Sequence, residues 1–219
     1  MKILLYGLNF HPEQVGIGKY SAEWACWLVD RDHSVRVITS PPYFPQWRVD
    51  NEYHNAYIVE ALQGVRVRRS PLWVPRSPTG FTRLLHLASF AMSSLGPLLT
   101  QVFWKPDVVI TVAPAFFCAP GALLLGQLCG RGTITWLHIQ AFELAAAFDL
   151  GRLKGRWLRR LAEGWETRTL RGFDRVSSIS AAMVQRLQSK GVPFNRCELL
   201  PNWVDLETIR PQLDSARVR

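Results

Sequence analysis

Two glycines one residue apart, Gly16-Ile17-Gly18, followed by Lys19, carry the first chemistry legible in this chain. They follow an apolar run, Ile3 to Leu8, and precede a helical pattern, so strand, glycine turn and helix start come in the order that cradles a phosphate. Glycine lets backbone N–H groups approach an anion closely, and the helix start adds partial positive charge. A tight βα turn with no ligand satisfies the same residues, because short glycine motifs are weakly specific. The polar loop between strand and glycines includes His11 and Glu13. A second candidate is His138, which ends the run Thr133-Ile134-Thr135-Trp136-Leu137. A polar residue at the tip of a parallel strand faces the crevice where open α/β sheets bind ligands. The third is the loop Ser40-Pro41-Pro42-Tyr43-Phe44-Pro45-Gln46-Trp47. It reads either as a rigid connection or as a stiff aromatic wall, with Tyr43 and Trp47 suited to stacking on a sugar ring. Of the other histidines, His33 and His54 read as structural or solvated, and His86, inside an apolar helical stretch, as packed.

Positioning these groups requires alternating strands and helices. Hydrophobic periodicity predicts strands at 2–7, 34–39, 65–69, 107–112, 133–138, 175–179 and 197–200. Helices are predicted at 18–30, 81–103, 116–128, 153–170 and 181–190, with Ser180 as an N-cap and Lys190-Gly191 as a glycine C-cap. Such βα alternation predicts an α/β fold with a Rossmann-like, doubly wound, mostly parallel sheet.

Composition narrows the class further. The chain has 219 residues, 48% hydrophobic and 20% charged, which suits one folded domain or a domain plus an appendage. Four scattered cysteines without a C-x-x-C pair argue for reduced, buried thiols and against both a zinc site and a disulfide scaffold. The uncharged stretches 84–104 and 108–129 are interrupted by proline, glycine and polar residues, so neither reads as a membrane span. A net charge of +9 is unevenly spread: residues 61–106 hold no acidic residue, and a second basic cluster is Arg152, Lys154, Arg156, Arg159 and Arg160. With Leu153, Trp157, Leu158 and Leu161 interleaved at helical spacing, that cluster reads as a basic amphipathic helix. Such a helix suits an anionic membrane surface or, equally, an ordinary solvated face. Basic residues mixed with Leu and Trp, and no recognised nucleic-acid module, argue against nucleic acid. A dinucleotide-binding dehydrogenase is disfavoured because the glycines lie well past the strand and no third glycine follows in register.

One ordered series of motifs goes further. It comprises Gly16-Ile17-Gly18-Lys19-Tyr20, Asp32-His33-Ser34-Val35, Pro41 to Trp47, Pro71-Leu72-Trp73-Val74-Pro75 and Arg83-Leu84-Leu85-His86-Leu87. It continues with Phe117-Cys118-Ala119-Pro120, Leu137-His138-Ile139-Gln140 and Pro201-Asn202-Trp203-Val204-Asp205. Taken together, these resemble the N-terminal half of family-4 glycosyltransferases of the GT-B fold, of the colanic-acid and exopolysaccharide type. The resemblance implies an acceptor-side domain over residues 1–200 and the start of an interdomain connection over 201–219. A separate donor-binding domain would face it, with no counterpart among these residues. It implies retaining transfer from a nucleotide sugar to a lipid-linked sugar acceptor, without a metal or other cofactor. The expected place is the cytoplasm, peripheral at the inner face of the cytoplasmic membrane. On this resemblance Gly16, Gly18 and Lys19 contact donor phosphates, His11, Glu13, Tyr43 and Trp47 contact the acceptor, and His138 hydrogen-bonds the transferred sugar. Where the family carries an aspartate after Ile139-Gln140 and another four residues later, this chain has Ala141 and Ala145. Glu143 keeps the carboxylate of that segment and is the expected stand-in. The expectation is a chain that does not turn over a nucleotide sugar by itself, but either works with a donor domain supplied by a separate protein or serves as a non-catalytic membrane-surface module.

Overall fold

Alternate residues of the first strand, β1 (Lys2–Gly7), enter two different cores: Ile3 and Leu5 on one side of the sheet, Leu4 and Tyr6 on the other. All four are buried, which is the signature of a central parallel strand covered on both faces. The same alternation runs through β2 (Ser34–Thr39), where Val35 and Val37 join the first core and Ile38 the second. The computed structural model describes residues 1–114, 116–142 and 156–204. Beyond β1 and β2 its strands are β3 (Ile58–Leu62), β4 (Val65–Arg69), β5 (Val108–Ala113), β6 (Ile134–Ile139), β7 (Arg175–Ser178) and β8 (Cys197–Leu199). The helices are α1 (Ile17–Val29), α2 (Gly80–Leu99), α3 (Ala119–Cys129), α4 (Arg156–Gly172) and α5 (Ala181–Ser189).

The eight strands lie in the order β3-β4-β2-β1-β5-β6-β7-β8. Every pairing is parallel except β3–β4. Winding proceeds outward from β1 through β2, then reverses to the other side of β1 with β5. The β1–β5 junction is therefore the switch point, whose carboxyl end is the usual ligand crevice of such sheets. The α/β, Rossmann-like expectation holds.

One strand was not foreseen. β3 is half-exposed along its length and carries Glu60 in its middle, so it lacks an apolar run. It forms because Gln63 (φ 45°) and Gly64 (φ 83°) make a tight hairpin that folds it against β4. The helix expected over 81–103 ends at Leu99 and tightens into a 3-10 turn, Thr100–Phe103. Thr79 starts α2 through a capping box with Thr82. Ser180 caps α5, accepting from the Met183 N–H at 3.3 Å, and Gly191 (φ 80°) follows its end as expected.

Candidate functional site

Two buried ions shape the loops at the switch point. At the end of β4, the Arg69 side chain is fully enclosed. Its Nη1 donates to the Ser40 carbonyl at 2.8 Å, its Nη2 to the His11 carbonyl at 2.6 Å, and its Nε to Glu60 Oε1 at 2.9 Å. One cation thus ties the loop after β1 to the loop after β2. The buried Glu13 carboxylate makes the reciprocal tie. Its Oε1 accepts the N–H groups of Tyr43 and Phe44, both at 3.0 Å, and its Oε2 accepts Asn9 Nδ2 at 2.8 Å. Burial pushes the Glu13 pKa up, and these three hydrogen bonds with Arg69 pull the other way.

The two glycines then separate in role. A Cβ on Gly18 would lie 2.8 Å from Glu13 Cβ, so this glycine is required by the close approach of Glu13. Gly16 has φ 61° and ψ −137°, a conformation side chains rarely adopt, and opens onto free space. It precedes α1, whose first turn has neither a side-chain cap nor an acidic residue.

Above the β1–β5 junction these loops enclose a pocket of about 200 Å³. Leu8, Asn9 and Gly16 contribute from the first loop, Tyr43, Phe44 and Trp47 from the second, and Pro114 and Ala141 from the ends of β5 and β6. The remaining wall is α2, with Arg83, His86 and Leu87. Three rings stand together there: Tyr43 and His86 centroids are 4.6 Å apart, Trp47 and His86 5.3 Å, and Tyr43 and Trp47 5.7 Å. The Arg83 guanidinium lies over Trp47 at 5.3 Å. Trp47 has φ 52°, uncommon for a bulky residue and typical of loops whose shape serves a site.

His86 is the polar atom source that sequence reasoning missed. Its Nδ1 lies 2.7 Å from the Trp73 carbonyl, which can only accept, so Nδ1 carries the proton and Nε2 the lone pair. Nε2 is buried without a protein partner. Burial, with Arg83 adding to it, outweighs the Trp73 hydrogen bond and holds the His86 pKa below its ordinary value, so the ring is neutral. A neutral imidazole acceptor, a guanidinium and two aromatic rings around one hollow suit a hydroxyl-rich ring with polar edges and apolar faces. The signal was present in the sequence: Arg83 and His86, three apart, are the two titratable residues of the helical pattern over 81–103.

Of the expected site residues, Gly16, Tyr43 and Trp47 meet in this pocket. Tyr43 is buried, its ring packed against both Trp47 and His86. His11 offers its carbonyl to Arg69 and is not in the pocket wall, and Glu13 spends its carboxylate on backbone N–H groups. Lys19 reaches 3.8 Å from Glu23, one turn along α1 and away from the pocket. Glu23 in turn accepts Trp203 Nε1 at 2.7 Å. His138 lies on the α1 side of the sheet, buried, with Nδ1 2.8 Å from Ser177 Oγ and the Trp24 ring edge-on at 5.6 Å. Burial lowers its pKa to about 4. Glu143, Arg152 and Lys154 lie outside the described residues. Arg156 opens α4, on which Trp157 is 73% exposed, Arg160 is exposed and Arg159 pairs with Glu163 at 2.8 Å.

Residues 15–203 match the glycosyl transferase 4-like domain. This chain belongs to the glycosyl transferase 4-like family. A relative from Escherichia coli (strain K12), provisionally named the colanic acid biosynthesis glycosyl transferase WcaI, is 44% identical over 98% of this chain. The chain spans 56% of that relative's length. Among solved structures, the catalytic domain of starch synthase IV from Arabidopsis thaliana, bound to ADP and acarbose, superposes with a TM-score of 0.61. That match has 15% identity and covers 98% of this chain and 54% of that one, so it speaks for the fold alone. The fold of this glycosyl transferase 4-like chain is thus that of one half of a GT-B glycosyltransferase.

Proposed function

We propose that these residues form the acceptor-side half of a glycosyltransferase that uses a nucleotide sugar and acts in the assembly of a colanic-acid-like exopolysaccharide on a lipid-linked acceptor. The observation that carries this reading is the pocket at the carboxyl ends of β1, β2, β5 and β6, walled by Tyr43, Trp47, Arg83 and His86. Aromatic faces hold the apolar side of a sugar ring, while Arg83 and the free lone pair of His86 read its hydroxyls. Gly16 and the uncapped first turn of α1 stand beside the same hollow, where a donor diphosphate finds backbone N–H groups. Stabilising the departing diphosphate is the main demand of glycosyl transfer, and retention at the anomeric carbon is our reading of the stereochemistry. Cytoplasmic action at the inner membrane face goes with a lipid-linked acceptor.

Ala141 favours a second reading. It places a methyl group in the pocket wall at the position where the resemblance calls for an aspartate, so the pocket would bind without catalysing. A transfer assay with a lipid-linked sugar acceptor and a panel of nucleotide sugars separates the two. The 219 residues alone are expected to bind acceptor but give no turnover, and turnover is expected when a donor-side domain is added in trans. Turnover by the 219 residues alone would overturn the half-enzyme reading. Acceptor binding that stays unproductive in both mixtures would favour the binding module.

A further inference from the structure

Surface helices normally turn a polar face to water, and α2 does not. Its inward side carries Leu87, Phe90 and Leu98 into the core. Its outward side carries Phe81, Leu85, Ala88, Met92 and Leu95, at the i, i+4, i+7, i+11, i+14 spacing of one helical face. Four of these five are exposed, Met92 by 77%, and Phe103 in the following 3-10 turn is 89% exposed. No described helix is long and apolar enough to cross a membrane, so this stripe is a surface feature.

The ground beside the stripe is basic. Arg36 and Arg66 sit opposite each other in the β2–β4 register, and Arg68 follows two residues on. The three line one recess of about 140 Å³ with Thr100 and Gln101, at the C-terminal end of α2. Arg68 donates to Thr100 Oγ1 at 3.1 Å and Arg36 to Gln101 Oε1 at 3.0 Å, so the guanidiniums are held by neutral groups. None of the three is ion-paired with a carboxylate among the described residues. Residues 61–106 contain no acidic residue at all. Burial, then the neighbouring Arg66, lowers the Arg36 pKa, as expected of crowded cations without a counter-ion.

We infer that the outer face of α2, together with the Arg36–Arg66–Arg68 recess, is the surface by which this protein docks on an anionic phospholipid bilayer, the stripe entering the acyl boundary and the recess taking lipid phosphate. Apolar burial and attraction to anionic headgroups are the two terms that hold a protein on a membrane surface, and here they adjoin. The basic helix foreseen from sequence, α4, is the weaker surface, since the exposed Glu163 stands among its cations and already pairs with Arg159. The inference takes its membrane setting from the lipid-linked acceptor proposed above, but vesicles without any sugar test it separately.

The experiment is co-sedimentation of the whole 219-residue chain with sugar-free vesicles of phosphatidylglycerol and phosphatidylcholine, compared with phosphatidylcholine alone. Binding is expected only to the anionic vesicles. Met92→Asp/Leu95→Asp and, separately, Arg66→Gln/Arg68→Gln are each expected to weaken it about tenfold or more. Trp157→Ala/Arg160→Gln on α4 is expected to leave it within about twofold. The positions changed on α2 are exposed, and the arginine pair provides an independent route should the aspartates disturb the fold. Equal binding to both vesicle types would overturn the inference. So would wild-type affinity in both variant pairs, or loss of binding through α4 alone. A chain that ignores vesicles and instead forms a dimer split by Met92→Asp would also overturn it, giving the stripe to a second copy.

Discussion

Individual residues here do work that their chemical type alone does not announce. His138 looks like an acid–base group, yet burial under Trp24 holds it neutral with a pKa of about 4. An unfolded histidine titrates near 6.5, so between about pH 6.5 and pH 4 the unfolded chain binds the proton that the folded chain refuses. Its contribution is therefore complete above pH 6.5 and is lost as pH falls toward 4, by about 3 kcal/mol in all. Urea unfolding at pH 7 and pH 4.5 should show this loss, and His138→Gln should flatten the slope. His86 adds to the acid sensitivity with the same sign, because its pKa is also lowered. At the pocket, Trp47→Ala should cost about 1–3 kcal/mol in binding of an acceptor oligosaccharide, measured by calorimetry, through loss of one stacking face. Stability should fall as well, because Trp47 packs against the Tyr43 and His86 rings and alanine keeps the Cβ that strains the left-handed backbone, so binding is compared on protein shown to be folded.

The elements are joined by residues that hold loops rather than ligands. Arg69 at the end of β4 binds the carbonyls of His11 and Ser40, and Glu13 binds the N–H groups of Tyr43 and Phe44. Replacing Arg69 by Met leaves Glu60 without its cation and two buried carbonyls without their donors. A loss of about 2–5 kcal/mol is expected in denaturant unfolding, chiefly from the two carbonyls left without donors, since Glu60 is partly exposed. Gly18→Ala drives a methyl group into Glu13 and should cost about 1–3 kcal/mol. Gly16→Ala meets no atom, so its cost comes from backbone strain alone, about 1–3 kcal/mol, a contrast that crystal structures of the two variants would show directly.

Across the whole molecule, the sheet winds away from β1 in both directions and leaves its crevice at the β1–β5 junction, and the pocket stands there. Because loops from both halves of the sheet build that pocket, a ligand that fills it binds only the folded chain. An acceptor glycan at about a hundred times its dissociation constant should add about 2.7 kcal/mol to stability, visible as a rise in Tm that Trp47→Ala reduces. The opposite surface property is the bare apolar face of α2, with a basic recess at its end.

Much of the fold is written in local sequence. Runs such as Val108-Val109-Ile110-Thr111-Val112 specify buried parallel strands because burial on both faces demands continuous apolar residues. The glycine turn, Ser180 cap and Gly191 stop are local signals that need no tertiary partner. The ordered motifs carried the family. Only the tertiary structure decided which side chains share the pocket. His138 and Lys19 face other groups, Glu13 serves the backbone, and Arg83 and His86 enter the wall because α2 crosses the sheet beside the first two loops. β3 needed its hairpin partner, since a half-exposed edge strand carries no burial pattern of its own. Local sequence fixes which backbone a segment adopts, but which side chains share a pocket depends on contacts between residues far apart in the chain, and those exist only once the sheet has closed its layers.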